Sequence, residues 1–453
     1  KKMSIYLSAL QKNEESEELL LGYLQCCQEL WESDRLIQLW EKVMIAKKHS
    51  VSMWENYLSF RMSHFASFSI SEVRTIFLRA LGSMFDLQTQ ASRKGNLQVA
   101  IQAEESQVEF FRKLCLFEAQ SGYMERAVAL YQAMIEFNCL YPAHLDEFRS
   151  RLKVFEAFWE SEAPRFGEPG SLGWKHWVDN LGKQQAAHPP SDTQYEKDVN
   201  DLLQRLKNGA NSSTEELETK LLEEHLLIAL WMPKRSSDHQ DGFDMERVVL
   251  FSDIEEYLLP VRMEHFQIQL IKNFVHFMIS NYGGTTSMLL HLSDGNENQS
   301  ALVLQSVKET ETIGYDVCSN LPQHEDVVAN VLAPDTPLQM EYRALLPREF
   351  TLFNSRTEEN EILLSDDLAE FISRALDTVL NRYKGNSQLS NLHLNFELYY
   401  YRTPSRNTVK QRSLAMKKTC KVLLSSRSND LQLWGQYAHA EKELNRPTEA
   451  KRI

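Results

Sequence analysis

Large apolar residues recur along this chain at the spacing of one helical face. Trp54, Tyr57 and Arg61 stand at i, i+3 and i+7; Phe111, Leu114 and Glu118 keep that spacing, and Trp434, Tyr437 and Glu441 keep it again. At 3.6 residues per turn, each set puts two bulky side chains on one stripe, with a charged group a turn further on. A second helical pattern follows each set. After Glu118 comes the turn Ser121-Gly122, then Ala127, Tyr131 and Met134; after Glu441 comes Asn445-Arg446-Pro447, then Ala450. Glu118 to Ala127 and Glu441 to Ala450 are both nine residues. After Arg61 the turn is longer (63–71), and the second helix reads Val73, Phe77, Ala80 and Leu81. The stretch 40–44 lines up with 77–81, so an earlier repeat is expected from about 19–30.

A small residue such as Ala80 or Ala127 lets two helices approach closely, and an aromatic from each fills the groove beside it. One such pair cannot bury its apolar face alone, so neighbours must stack. The predicted fold is therefore all-α, an α-α superhelix of HAT/TPR-like helical repeats with long irregular insertions. The Ala-x3-aromatic spacing belongs to the tetratricopeptide pattern, and the Trp-x2-Tyr-x3-Glu helix to its half-TPR (HAT) relative. The expected packing residues are Trp54, Tyr57, Phe77, Ala80, Phe111, Leu114, Ala127, Tyr131, Trp434, Tyr437 and Ala450.

Between the repeats the pattern changes. HAT-like helices are expected over 1–160, a Pro/Gly break and polar linker over 161–225, and helical repeats over 226–282, with helical patterning from Val248 to Ile279. An irregular insertion is expected over 283–360, which carries Gly283-Gly284 and four prolines, and HAT-like repeats return over 361–453, with helices from Asp366 and the last repeat cut short.

Composition narrows the class. Glycine (16) and proline (13) are scarce in 453 residues, which disfavours a turn-rich sandwich and a collagen-like chain. No apolar run approaches the roughly 18 residues of a membrane span. The start Lys1-Lys2-Met3 points to an internal piece of a longer protein. Six cysteines are too few for a disulfide framework, so a reducing compartment is expected.

Candidate chemistry is sparse. Gly170-Ser171-Leu172-Gly173 has the wrong residue order for a nucleophile elbow, and the 282–287 Gly/Thr stretch lacks the lysine of a phosphate loop. His324-Glu325 has no second histidine at the zinc-protease spacing, Asp294–Gln299 has no glycine where a calcium loop turns, and Cys26-Cys27 has no nearby partner ligand. No catalytic, cofactor or metal residue is assigned, and the chain is read as a non-enzyme.

The charge pattern does single out one segment. The net charge is −14, which argues against nucleic-acid binding over the whole surface. Yet 402–427 holds Arg402, Arg406, Lys410, Arg412, Lys417, Lys418, Lys421 and Arg427 and no acidic residue. Arg406, Lys410, Lys417 and Lys421 fall on one helical stripe, with Val409, Met416, Cys420 and Leu423 on an adjacent, core-facing one. Such a stripe is a candidate surface for RNA phosphate or an acidic protein segment.

Four stretches, in order along the chain, resemble the nuclear-RNAi-defective family: 123–134, Pro164-Arg165-Phe166-Gly167-Glu168 with Ser171, Gly173 and Trp174, Arg247–Ile254, and Leu433-Trp434-x2-Tyr437-Ala438-His439-x-Glu441. The resemblance implies a nuclear, non-enzymatic helical scaffold in RNA surveillance, pre-mRNA splicing and small-RNA-directed silencing. It implies as partners the DExH helicase of the nuclear exosome and splicing-linked factors. A direct RNA-binding module built on the basic stripe, or a HAT subunit of another RNA-processing complex, are the alternatives.

Overall fold

The computed structural model describes residues 1–64, 67–145, 147–180, 232–235, 248–281, 366–402, 409–426 and 431–443. The expected insertion 283–360, most of the 161–225 linker, Arg406 and Ala450 lie outside the described residues. Among the described residues there are fourteen α-helices and no strand, with one isolated bridge between Lys234 and Val248. The all-α expectation holds. The chain divides into two compact units at Leu114 and Cys115.

In the first unit, α1 (Lys2–Lys12), α2 (Glu17–Gln28), α3 (Ser33–Ala46), α4 (Val51–Ser63) and α5 (Ile70–Arg93) each pack on the next in sequence. Short polar caps start two of them. Ser16 accepts from the Leu19 amide at 3.4 Å and Ser50 from the Met53 amide at 3.3 Å, satisfying first-turn donors that have no partner within the helix. Trp40 of α3 stacks on Tyr57 and Phe60 of α4, at 5.4 and 6.1 Å between ring centroids. The Tyr57 hydroxyl donates to Glu41 at 2.6 Å, and Arg79 of α5 donates to the same carboxylate oxygen at 2.8 Å. One aromatic stripe is thus held by three successive helices. Gly22 lies under the ring of Tyr6, where a Cβ would stand 2.5 Å from a ring carbon, so α1 and α2 approach as closely as they do only because the residue is glycine.

The second unit begins inside α6 (Leu97–Gln120). The turn to α7 (Met124–Cys139) is a Schellman closure: Gly122 sits at φ +90°, its amide donates to Ala119, and the Tyr123 amide donates to Glu118 at 2.8 Å. α7 is buried on almost every side, Glu125 and Ala127 through Cys139 included. It is the axis of the unit. α8 (Phe148–Glu160) and α9 (Trp174–Asp179) bring Phe155, Phe158, Trp159 and Trp174 into one aromatic cluster, while Phe166 of the loop between them packs on Phe274 at 5.6 Å. α10 (Glu264–Asn281) lies along α7, with Tyr131 between Phe274 and Phe277 at 5.5 and 5.1 Å. Each buried aromatic adds on the order of 1.5–3 kcal/mol of apolar transfer. α11 (Asp366–Arg382), α12 (Ser387–Arg402), α13 (Val409–Ser426) and α14 (Leu431–Glu443) follow, α11 on α12, α12 on α13 and α13 on α14.

One expectation changes. The helix anticipated from Val248 begins only at Glu264. Residues 251–257 form two single turns instead, because the Asp253 carboxylate accepts from the Leu250 amide at 2.9 Å and Pro260 follows without a backbone donor. Within the Pro/Gly break, residues 165–168 and Gly173 are buried, while Ser161, Gly170 and Leu172 are exposed.

Candidate functional site: a basic helix edge and the buried ion pairs behind it

The basic segment begins at the end of α12 and covers α13. Arg402 stands at the end of α12, and Lys410 and Arg412 stand in the first turn of α13. From Met416 onward the two faces of α13 are defined. Met416, Cys420, Leu423 and Leu424 are buried with Leu394 and Leu433, and Leu380, Trp434 and Tyr437 pack on that cluster. Burial raises the Cys420 thiol to about 12, so it is a neutral packing group, not a nucleophile. On the opposite face Lys418, Lys421 and Val422 are exposed. Lys417 lies between the two faces and reaches Glu441 of α14 at 3.3 Å. Of the basic residues whose side chains are described, two face solvent and one is tied down by a buried acid.

That acid is the charged member of the third stripe, and each of the other stripes ends the same way. Arg61, 4% exposed, pairs with Glu72 of α5. Glu118, fully buried, lies 3.7 Å from Arg126 of α7. Glu441, 1% exposed, takes Lys417. A lone buried charge is costly, so the stripe ends in a pair that joins two helices. Trp54, Tyr57, Phe77, Ala80, Phe111, Leu114, Ala127 and Tyr131 are buried; Trp434 and Tyr437 are partly so.

The buried loop that follows α8 is the arrangement least visible beforehand. Arg165 lies over the Trp159 ring at 3.6 Å. Glu168 accepts from the Arg165 amide at 2.9 Å and pairs with the buried Arg235. Gln132 of α7 donates to the Phe166 carbonyl at 2.9 Å, and Arg374 of α11 donates to the Gly167 carbonyl at 3.0 Å. Gly167 holds φ +82°, and a Cβ there would lie 2.7 Å from the Phe371 ring. Beneath the loop, Glu136 accepts from the Trp174 amide at 2.9 Å. Desolvation, with the neighbouring Glu168 charge, pushes its pKa up to about 8. The segment at 249–254 closes the other side. Trp159 Nε1 donates to the Val249 carbonyl at 3.2 Å, and Arg126 donates to the Asp253 carboxylate at 3.0 Å and to its carbonyl at 2.8 Å. The Pro-Arg-Phe-Gly-Glu stretch and the 249–254 stretch therefore serve one core. The sequence signal was present in the paired Arg and Glu of that loop, but nothing local tells that both would be buried.

Among the described residues no group of three or more metal-ligating side chains comes together, and no helix is long and apolar enough to cross a membrane.

The family model described as "NRDE-2, necessary for RNA interference" matches residues 1–282. The chain belongs to the NRDE-2 family. Within it, the mouse (Mus musculus) protein named "Nuclear exosome regulator NRDE2" is 28% identical over 472 residues, covering 100% of this chain and 37% of its own length. The human (Homo sapiens) protein of the same name is 25% identical over 471 residues, covering 100% and 38%. That of Dictyostelium discoideum is 31% identical over 186 residues, covering 38% of this chain and 14% of its own length. This chain thus spans a little over a third of the mouse and human NRDE-2 proteins. The buried loop, the Asp253 contact and the Arg126 pair all lie in the stretch that the family model matches.

Proposed function

We propose that this chain is a non-enzymatic helical-repeat scaffold that holds protein partners in nuclear RNA surveillance, pre-mRNA splicing and small-RNA-directed gene silencing. The observation that carries the reading is the repeated stripe: two apolar side chains and a buried, paired charge, used alike in α4, α6 and α14 to join successive helices. That chemistry builds a stiff array whose outward faces are left for partners, as α-α superhelical repeats do. The names of the mouse and human relatives support a nuclear setting and a link to the exosome. The partners that fit are the exosome-associated DExH helicase and splicing-linked factors.

A second reading is favoured by one observation, the exposed Lys418 and Lys421 on α13. Direct contact of this edge with RNA phosphate would make the chain an RNA-binding module, with affinity that falls steeply with salt. A crosslinked pulldown from nuclear extract, with and without RNase, separates the two. Recovery of the same proteins under both conditions is the expected result. Recovery that collapses with RNase overturns the scaffold reading and makes RNA the bridge.

A further inference from the structure

The start of α5 has the parts of an anion site that nothing in the scaffold reading uses. Ser69 is its N-cap, and the Ser69 side chain makes no capping hydrogen bond. Its hydroxyl instead lies 3.0 Å from that of Ser71, on the exposed side of the turn. The first-turn amides of a 24-residue helix therefore lack a side-chain acceptor at the cap, where the helix field favours negative charge. A second, independent feature points to the same place. Arg61, at the end of α4, is 4% exposed and turns its guanidinium to this turn, reaching the Ser67 carbonyl at 3.4 Å and the Glu72 carboxylate. Among the described residues its Nε has no hydrogen-bond partner, and neither has the buried hydroxyl of Ser67. Its carboxylate partner is a loose one, because Glu72 is 61% exposed and free to swing into water. This buried guanidinium, with a spare donor beside an uncapped helix start, has one solvent-facing carboxylate and the Ser67 carbonyl as its contacts, with the Glu41 charge nearby.

We propose that Ser69 is a phosphorylation site, and that its phosphate caps α5 and takes Arg61 from Glu72. The local sequence Ser69-Ile70-Ser71-Glu72 places an acid three residues after the acceptor serine, which suits an acid-directed serine kinase. In the transfer, the Ser69 Oγ–P bond forms as the bond from the γ-phosphorus of ATP to its bridging oxygen breaks. ADP leaves, and the hydroxyl proton passes to the kinase's base. The product carries up to two negative charges and three strong acceptor oxygens at the cap of the first-turn amides, three residues before the Glu72 carboxylate that the Arg61 guanidinium holds. Ser71, the second residue of the helix, lies past the cap position and is not the site. The proposal is independent of which partner the scaffold holds.

The test uses the whole chain with a purified acid-directed serine kinase of the casein-kinase type and magnesium ATP. Fragment mass spectrometry locates the phosphate, and phosphorus NMR follows its titration in the folded chain and in urea. The expected result is phosphate on Ser69, abolished by Ser69→Ala and retained by Ser71→Ala. Its second ionisation in the folded chain should be lower by about half a pH unit or more than in urea, as cationic and amide partners require. Arg61→Lys, which keeps the charge but loses the fork, should close most of that gap. Phosphate found only on Ser71, no incorporation into the folded chain, or a titration identical in folded and unfolded chains would each overturn the proposal. If Arg61→Lys does not fold, the comparison between folded and urea-unfolded wild type still decides.

Discussion

Glu136 has a carboxyl that the fold keeps protonated near neutrality. Burial is the main cause, and it outweighs the Trp174 and Phe166 backbone amides, which favour the ionised form. Its folded pKa of about 8 lies above the ordinary glutamate value of about 4.3, so the folded state holds the proton more tightly. That contribution to stability is fully present below about pH 4, and it is lost as pH rises through 8. Glu136→Gln keeps the acceptor and removes the ionisation. Urea titrations should find its advantage over the parent growing by about 4 kcal/mol between pH 5 and pH 9, the part of the 4.3-to-8 shift that falls in that window. Glu397 behaves in the opposite way on α12. Burial would raise it, but the hydrogen bond and charge of His393 and the Ser373 hydroxyl at 2.5 Å outweigh that and hold it below its usual range.

Among the elements, the loop after α8 shows how a short segment can govern several helices. Gly167 is required twice there, by its positive φ and by the Phe371 ring on the site of a Cβ. Phe371 has little room to yield, because it is itself buried against Phe274 at 6.0 Å. Gly167→Ala should destabilise by about 2–4 kcal/mol, the sum of left-handed strain and overpacking, seen as a lower urea midpoint. The helices themselves were legible in advance, because periodicity needs only neighbours along the chain. The stripes through Trp54, Phe111 and Trp434, and the resumption at Asp366, came from that local signal. The loop was not legible. Pro, Gly and paired charges read as a solvated turn, and only the arrival of Trp159, Gln132 and Arg235 from elsewhere makes that turn a core. The same limit applies to α13. Its two faces follow from spacing, but the choice of Glu441 by Lys417 is a contact between separate helices.

For the whole molecule, charge has two uses that a single count of −14 conceals. Lys418 and Lys421 belong to the surface, and half-buried Lys417 neutralises the buried Glu441. Reversing Lys418 and Lys421 together to glutamate should leave the circular dichroism spectrum and melting curve within about 0.5 kcal/mol of the parent. Any binding that uses the α13 edge should then weaken, most clearly at low salt. Lys417→Met should do the reverse. It strands a buried carboxylate and should destabilise by about 1–3 kcal/mol, while Lys417→Met with Glu441→Leu recovers most of that loss. A chain in which the Lys417 change is silent and the outer pair is disruptive would contradict this division.

The sign of the buried charge differs from stripe to stripe. It is positive on α4 and negative on α6 and α14. Were α4 to settle against α7 during folding, Arg61 would confront Arg126, two like charges with no water to screen them. Repeats built on similar aromatics are prone to exchange partners, since apolar surfaces accept one another without regard to identity. Here the buried ion acts as an address. It sets α4 apart from α6 and α14, whose partners carry the charge that α4 would repel.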